Sequence, residues 1–387
     1  MAASPDAART PVRVRAPWVD ALRGQALALL GAFLFAAVVG SIIIAAYGEN
    51  PLDVYATVWE FSTRRASDFA RMLAIATPLI FSGLAVAVCF KAGLFNIGVE
   101  GQYKVGLAGA AAAAIFLDFL PGPVLLPVVV LSAMAAGMAW AFIPAILKVK
   151  TGAHEVVTTI MMNGIATSLV AWAVLNPLRS PEQGLIDLRT ARFPSGALVP
   201  DISTTLGFED AVPTSAHFTW LFPVAVLACM VIWFMLFRTR LGYEVRAVGS
   251  SSGSAEAGGV SIGAIQVKVF LISGALAGFV GLNHILGDRG YLGSNYETGL
   301  GFAGIVVAFL GRNHPAGVFL AAILIAMLSR GQDGVAVTTN LPTEILIILQ
   351  GVLILSVVIA YELVNRAVIR RRQRAVRAEE ETADAPA

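Results

Sequence analysis

Lys91-Ala92-Gly93-Leu94-Phe95-Asn96-Ile97-Gly98-Val99-Glu100-Gly101-Gln102 stands between an apolar run that ends at residue 90 and another that reaches residue 117. Asn, Glu and Gln are expensive inside a bilayer and usually serve a pathway or a partner there. The three glycines let backbone approach closely and let a helix break or turn. The stretch therefore reads as a polar break inside a membrane-spanning helical chain.

The surroundings agree. The 387 residues are 57% hydrophobic and 13% charged, with mean hydropathy +0.77, whereas soluble domains run near 25% charged. A net charge of +2 gives a nucleic-acid partner no electrostatic support. Cys89 and Cys229 both sit in apolar runs and read as small core residues. Arg9, Arg13, Arg15 and Arg23 followed by an apolar run imitate a signal peptide. That run, Ala26 to Tyr47, is too long for a signal core and long enough to span.

Apolar segments fall at 26–47, 72–90, 97–117, 123–147, 156–176, 218–237, 266–287, 300–311, 315–329 and 344–363. The expected fold is all-α, a polytopic helical membrane protein of about ten transmembrane segments with both termini cytoplasmic. With the N-terminus inside, 18 of the 27 Lys and Arg fall on cytoplasmic stretches and 8 outside, Lys104 lying in a helix. Arg64, Arg65 and Arg71 violate the bias locally. The organisation expected is a cytoplasmic tail at 1–25, a transmembrane domain at 26–365 with a cytoplasmic loop at about 238–265, and a cytoplasmic tail at 366–387, basic and then acidic. The basic part suits anionic lipid.

Segments 300–311 and 315–329 are short and separated by Gly311-Arg312-Asn313-His314-Pro315. In transporters such interruptions mark discontinuous helices near the solute. The break at 91–102 is their counterpart, with a faint echo between Glu100 in Gly98-Val99-Glu100-Gly101 and Glu297 in Asn295-Tyr296-Glu297-Thr298-Gly299. The longest connection, Asn176 to His217, faces outward and carries Arg179, Arg189 and Arg192.

The wording F-N-I-G-V-E-G-Q at 95–102 resembles the permease subunits of ABC importers for nucleosides, within the group that includes the simple-sugar and branched-chain amino-acid permeases. The resemblance extends from about residue 70 to 363. It implies a second, related permease subunit, with a heterodimer common. It also implies a separate ATPase using Mg-ATP, an extracytoplasmic substrate-binding lipoprotein and a place in the bacterial cytoplasmic membrane. No G-x-x-x-x-G-K-[ST] occurs in the chain, so ATP has no P-loop here. In this reading the chain binds no cofactor and is not itself an enzyme.

Each motif also has a structural alternative. Asn96, Glu100 and Gln102 line a solute path, or Glu100 pairs with Lys104 four residues on and Asn96 caps a helix. His154-Glu155-Val156-Val157-Thr158-Thr159-Ile160-Met161-Met162-Asn163 lacks the second His of a zinc protease. It resembles the family's N-E-V-x-x-T-I-M-L-N, and Asn163 either lines the path or bonds a neighbouring helix. Arg246-Ala247-Val248-Gly249 and Ala255-Glu256-Ala257-Gly258-Gly259-Val260 resemble the family's ATPase-coupling segment, in which a small-residue helix docks on the ATPase. Arg246, Gly249, Glu256, Ala257 and Gly259 are its candidates, against the plain reading of a Ser/Gly-rich linker. Glu297 joins the solute-path candidates. The G-x-S-x-G matches at 249–253 and 259–263 lack the context of a hydrolase elbow. Gly274 and Gly278 form a GxxxG packing motif. The rivals are sugar or amino-acid permeases of the same superfamily, or an ion-coupled secondary transporter.

Overall fold

The computed structural model describes residue 31, residues 34–181 and 188–339, and part of 341–366. The expected tails at 1–25 and 367–387 lie outside the described residues. Two compact units divide the chain. One joins the chain's two ends and contains the helix Leu34–Ala46 (α1) and helical residues between 344 and 366. The other, Leu52–Thr343, holds everything discussed below.

Its helices are α2 (Pro51–Thr63), α3 (Ala66–Lys91), α4 (Val99–Phe116), α5 (Gly122–Thr151), α6 (Glu155–Leu175), α7 (Ile202–Leu206), α8 (Leu221–Arg238), α9 (Arg240–Ser250), α10 (Ser252–Ala257), α11 (Ile262–Phe279), α12 (Leu300–Leu310) and α13 (Pro315–Thr338). A π-helical turn, Asn283–Arg289, prolongs α11. Among the described residues there are no strands, only isolated bridges. Among the described residues of this unit, six helices are long and apolar enough to span a membrane: α3, α5, α6, α8, α11 with its π turn, and α13.

Burial sorts these helices. A helix apolar on all sides belongs in a core, and α3 buries every residue from Ala76 to Cys89. By contrast α5 buries Leu125, Val129, Ala133, Gly137, Ala141 and Ala145, a stripe at helical spacing. Its outward residues stay apolar, as do those of α6 and α8, where Ile165, Trp172, Met230 and Phe234 are exposed. A solvated face would be polar, so these faces meet lipid. Close packing of α5 on α11 depends on glycine. A methyl on Gly278 would fall 2.5 Å from the Ala133 carbonyl oxygen, and one on Gly274 2.5 Å from that of Gly137.

One expected boundary needs correction. The segment 315–329 is not short: α13 runs on to Thr338. Arg330 ends the apolar run but not the helix, because its charge is met by Asp68 of α3 at 3.2 Å and by Asp333 at 2.8 Å. The loop expected at about 238–265 with a small-residue helix consists of two helices, α9 and α10, and the first residues of α11. Two of the three arginines that violate the charge bias have partners within the chain: Arg71 donates to the Ser215 carbonyl at 2.6 Å, and Arg64 lies 3.6 Å from Glu60.

The long connection after α6 is ordered where described. It covers the segment that follows α11 through Val199 N–H to Leu286, Phe193 N–H to Gly290 and Thr190 N–H to Leu292, at 2.8–3.0 Å. Arg189 and Arg192 sit over the Tyr291 ring at 5.1 and 6.0 Å.

Candidate functional site at two broken helices

The first break begins where α3 ends. Gly93, at φ +72°, lets Leu94 N–H reach the Cys89 carbonyl and Gly93 N–H the Phe90 carbonyl, both at 3.0 Å. This is a Schellman stop, which needs a left-handed residue. The chain then turns back into the protein. Asn96 Oδ1 accepts from Gly98 N–H at 2.9 Å, an Asx turn. Its amide also pairs reciprocally with that of Gln102, both bonds 3.1 Å. Asn96 Nδ2 donates to Ser273 Oγ at 2.9 Å, and that hydroxyl donates to the Ala85 carbonyl at 2.7 Å. Ala85 lies six residues before the end of α3, about 9 Å inside it at the helical rise.

The second break leads into α12. This helix has 11 residues and starts beside the middle of α3: Ser82 Oγ donates to the Leu300 carbonyl at 2.8 Å. Its N-terminal amides need acceptors, and Glu100 of α4 supplies them. Oε1 accepts from Gly299 N–H and Oε2 from Gly301 N–H, each at 3.0 Å. A carboxylate at a helix N-terminus is electrostatically favoured. Lys104 Nζ lies 3.0 Å from Oε1 of the same carboxylate and donates to Thr167 Oγ1 at 3.1 Å. Tyr103 donates its hydroxyl to the Glu297 carbonyl at 2.8 Å. Glycine permits the contact, since a methyl on Gly301 would collide with the backbone of Glu100.

Asn163 of α6 fastens the same turn from the other side. Its Oδ1 accepts from Gly101 N–H at 2.8 Å and its Nδ2 donates to the Ile97 carbonyl at 3.0 Å. Asn96, Glu100 and Gln102 are only 1–2% exposed and Asn163 is buried. The structure thus gathers Asn96, Glu100, Gln102 and Asn163 at one junction. Glu297 joins through its backbone, while its side chain is exposed. The echo between Glu100 and Glu297 thereby has a spatial counterpart: the two segments touch. Ser82, Ser273, Thr167 and Tyr103 escaped the sequence reading. Lone hydroxyls in apolar helices were the available signal.

The coupling candidates lie at the Lys91 end. Thr239 caps α9 by accepting from Gly242 N–H at 3.2 Å. The helix buries Gly242, Val245 and Val248, one face at helical spacing. Arg246 stays at the surface, with its guanidinium 5.3 Å from the Phe237 ring centroid. Gly249 presses on the carbonyl of Lys91, where any side chain would collide. In the next stretch Ala255 is buried, and Glu256, Ala257 and Gly259 are exposed. Gly259 closes α10 at φ +82°. A cavity of about 320 Å³ lies among Ala92–Leu94, Lys148 and Val248–Ser252.

Comparison with known proteins places this architecture. The family described as "Branched-chain amino acid transport system / permease component" matches residues 69–358. The glucose ABC transporter permease protein TsgB13 of Haloferax volcanii is 32% identical over 83% of this chain and 84% of its own. The guanosine ABC transporter permease protein NupP of Bacillus subtilis is 33% identical over 83% of this chain and 90% of its own. The nucleoside ABC transporter permease protein NupB of Lactococcus lactis is 28% identical over 73% and 77%.

Proposed function

We propose a substrate and a working cycle on the premise that this chain belongs to the branched-chain amino acid transport system permease family. It is a multi-pass membrane permease of an ABC importer, a transport subunit that works with an ATPase and a substrate-binding protein. The substrate proposed is a nucleoside, moved into the cytoplasm. Its support is the similarity to guanosine and nucleoside permeases over 73–83% of the chain, together with the F-N-I-G-V-E-G-Q wording at the junction.

In this reading about ten segments span the bacterial cytoplasmic membrane with both termini inside. Mg-ATP is hydrolysed on the separate ATPase, a second permease completes a heterodimer, and a lipoprotein receptor docks outside, against the loop that carries Arg179, Arg189 and Arg192. The observation that carries the cycle is the Glu100 clasp, where two interrupted helices meet near the middle of α3. Solute passes when the clasp parts. Parting presents a carboxylate, amides and backbone N–H groups to a neutral, hydroxyl-rich solute, each of which loses a protein partner and gains one from the cargo.

One observation favours a second reading: the glucose permease TsgB13 is as similar as the nucleoside permeases. The test is uptake of labelled adenosine, guanosine, uridine, cytidine and glucose by cells with the whole system, against a deletion of this gene. Loss of nucleoside uptake alone supports the proposal. Loss of glucose uptake with nucleoside uptake unchanged rejects the substrate and keeps the importer.

A further inference from the structure

The end of α3 and the far end of α12 both connect to the same short helix, the first directly and the second through α8. At its C-terminal end α9 bears through Gly249 on the Lys91 carbonyl, the point where α3 gives way to the Asn96 turn; the Cα of Gly249 lies 3.5 Å from where a methyl on Gly93 would sit. One turn earlier, the Arg246 guanidinium lies over the Phe237 ring, and that ring also packs on His314, with centroids 5.2 Å apart, and more distantly on Trp233 of its own helix at 6.4 Å. His314 is the residue that ends the α12–α13 turn. Its Nδ1 accepts from Ala316 N–H at 3.3 Å and so caps α13. The turn itself is strained: Arg312 and Asn313 hold φ at +58° and +53°, a left-handed conformation that non-glycine residues avoid. Strain of this kind marks segments with a second conformation near in energy.

We infer that Phe237 and His314 are positioning residues that transmit displacement of α9 to α12, so that the Arg246–Phe237–His314 stack and the Gly249 contact move both broken helices together and open the Glu100 clasp. The inference rests on the ATPase-coupling role that the family resemblance implies for Arg246 and Gly249 of α9. Helix α9 bears directly on the end of α3 and, through Phe237 of α8, on the turn at the far end of α12, and the segments beyond both meet at the clasp. Neither contact is a hydrogen bond, so the stack can slide without leaving a buried polar group unpaired. Phe237 does not touch the clasp, and its effect on transport passes through His314 and the turn.

The test is the complete complex in proteoliposomes, with receptor, both permeases and ATPase, measuring ATP hydrolysis and the entry of tritiated guanosine or labelled glucose. Phe237→Leu keeps apolar bulk and removes the ring. The expected result is an assembled complex with its receptor-independent hydrolysis retained, solute moved per ATP down about tenfold, and most of the loss restored by Phe237→Trp. His314→Asn keeps a capping acceptor and removes the ring, so it is expected to uncouple in the same way. It decides the matter if Phe237→Leu fails to assemble. Wild-type yield per ATP in the assembled variants overturns the inference. An unrelieved loss in Phe237→Trp assigns the ring to packing and overturns it as well. A wild-type complex that hydrolyses ATP but moves neither solute instead refutes the substrate reading beneath it.

Discussion

The junction at 96–104 and the stretch at 251–259 are built from similar residues, glycines with small polar groups and a single glutamate, yet they end in opposite states. At the junction Asn96, Glu100 and Gln102 are all but sealed: Asn96 bonds to Gln102 and to α11, Glu100 holds the start of α12, and α6 holds Gly101 between them. In the other stretch Glu256, Ala257 and Gly259 face outward, and Ser251 and Ser254 bond only within their own turn. The difference lies in what surrounds them. Inside an apolar bundle a polar group finds a partner in the protein or pays a desolvation penalty. At an aqueous surface it has water. The sealed site therefore acts only when helices part, and the open one is available to a partner at once.

The largest expected break in this contrast is Glu100→Ala. It strands the Lys104 ammonium, whose side chain is 8% exposed, and leaves the amides of Gly299 and Gly301 without acceptors. Removing one member of a buried ion pair destabilises by about 3–5 kcal/mol. A large fall in melting temperature in detergent is expected, with partial recovery in Glu100→Gln/Lys104→Met, where no buried charge is left alone. An unchanged melting temperature for Glu100→Ala would show the junction to be wetter and looser than its geometry.

Asn163→Ala comes next. It removes the acceptor for Gly101 N–H and the donor to the Ile97 carbonyl, at about 1–3 kcal/mol for each group left unsatisfied. Faster amide hydrogen exchange confined to 97–102 is the expected signature. Exchange that rises evenly along α6 instead would assign Asn163 to general packing of that helix.

Much of this was legible in the residues. Helical membrane character followed from an apolar sequence with few charges, and the break at 91–102 from glycines and amides set in it. Asn163 stood out as a mid-helix amide. What the sequence could not supply was partnership across long separations. Glu100 has a local partner in Lys104, four residues away, and a carboxylate already paired gives no sign that its two oxygens also hold the start of α12, some 200 residues on. Ser82 and Ser273 look like ordinary small residues until their hydroxyls are found spanning helices. The extent of α13 was hidden for the converse reason. Arg330 reads as the end of a span, and only Asp68, distant in sequence, shows that its charge is matched.

Between the two regimes lies His314, at the mouth of the α12–α13 turn. Burial, with Lys91 and Arg312 nearby, lowers its pKa from the ordinary 6.5. Between the lowered value and 6.5 the unfolded chain binds more protons than the folded one. Stability is therefore present at neutral pH and lost as pH falls through that window. A modest decline in melting temperature on acidification below 6.5 is expected, reduced in His314→Asn. Identical profiles for the two proteins would remove His314 as the source.

The smallest effect on folding belongs to the open stretch, and there the contrast is sharpest. Ala257 is exposed on α10, so Ala257→Trp adds its ring at the surface rather than in the core. Surface changes of this kind usually stay within about 0.5 kcal/mol, and the melting temperature of the isolated permease should not move. If α10 docks on the ATPase through small residues, however, the indole must clash at that contact. Solute-stimulated hydrolysis in the assembled complex should then be lost while the fold is untouched. Both measurements are needed. A destabilised permease would mean that α10 is packed against its own chain. A stable permease with full solute stimulation would mean that the exposed small residues bear on no partner, and that coupling enters elsewhere along α9.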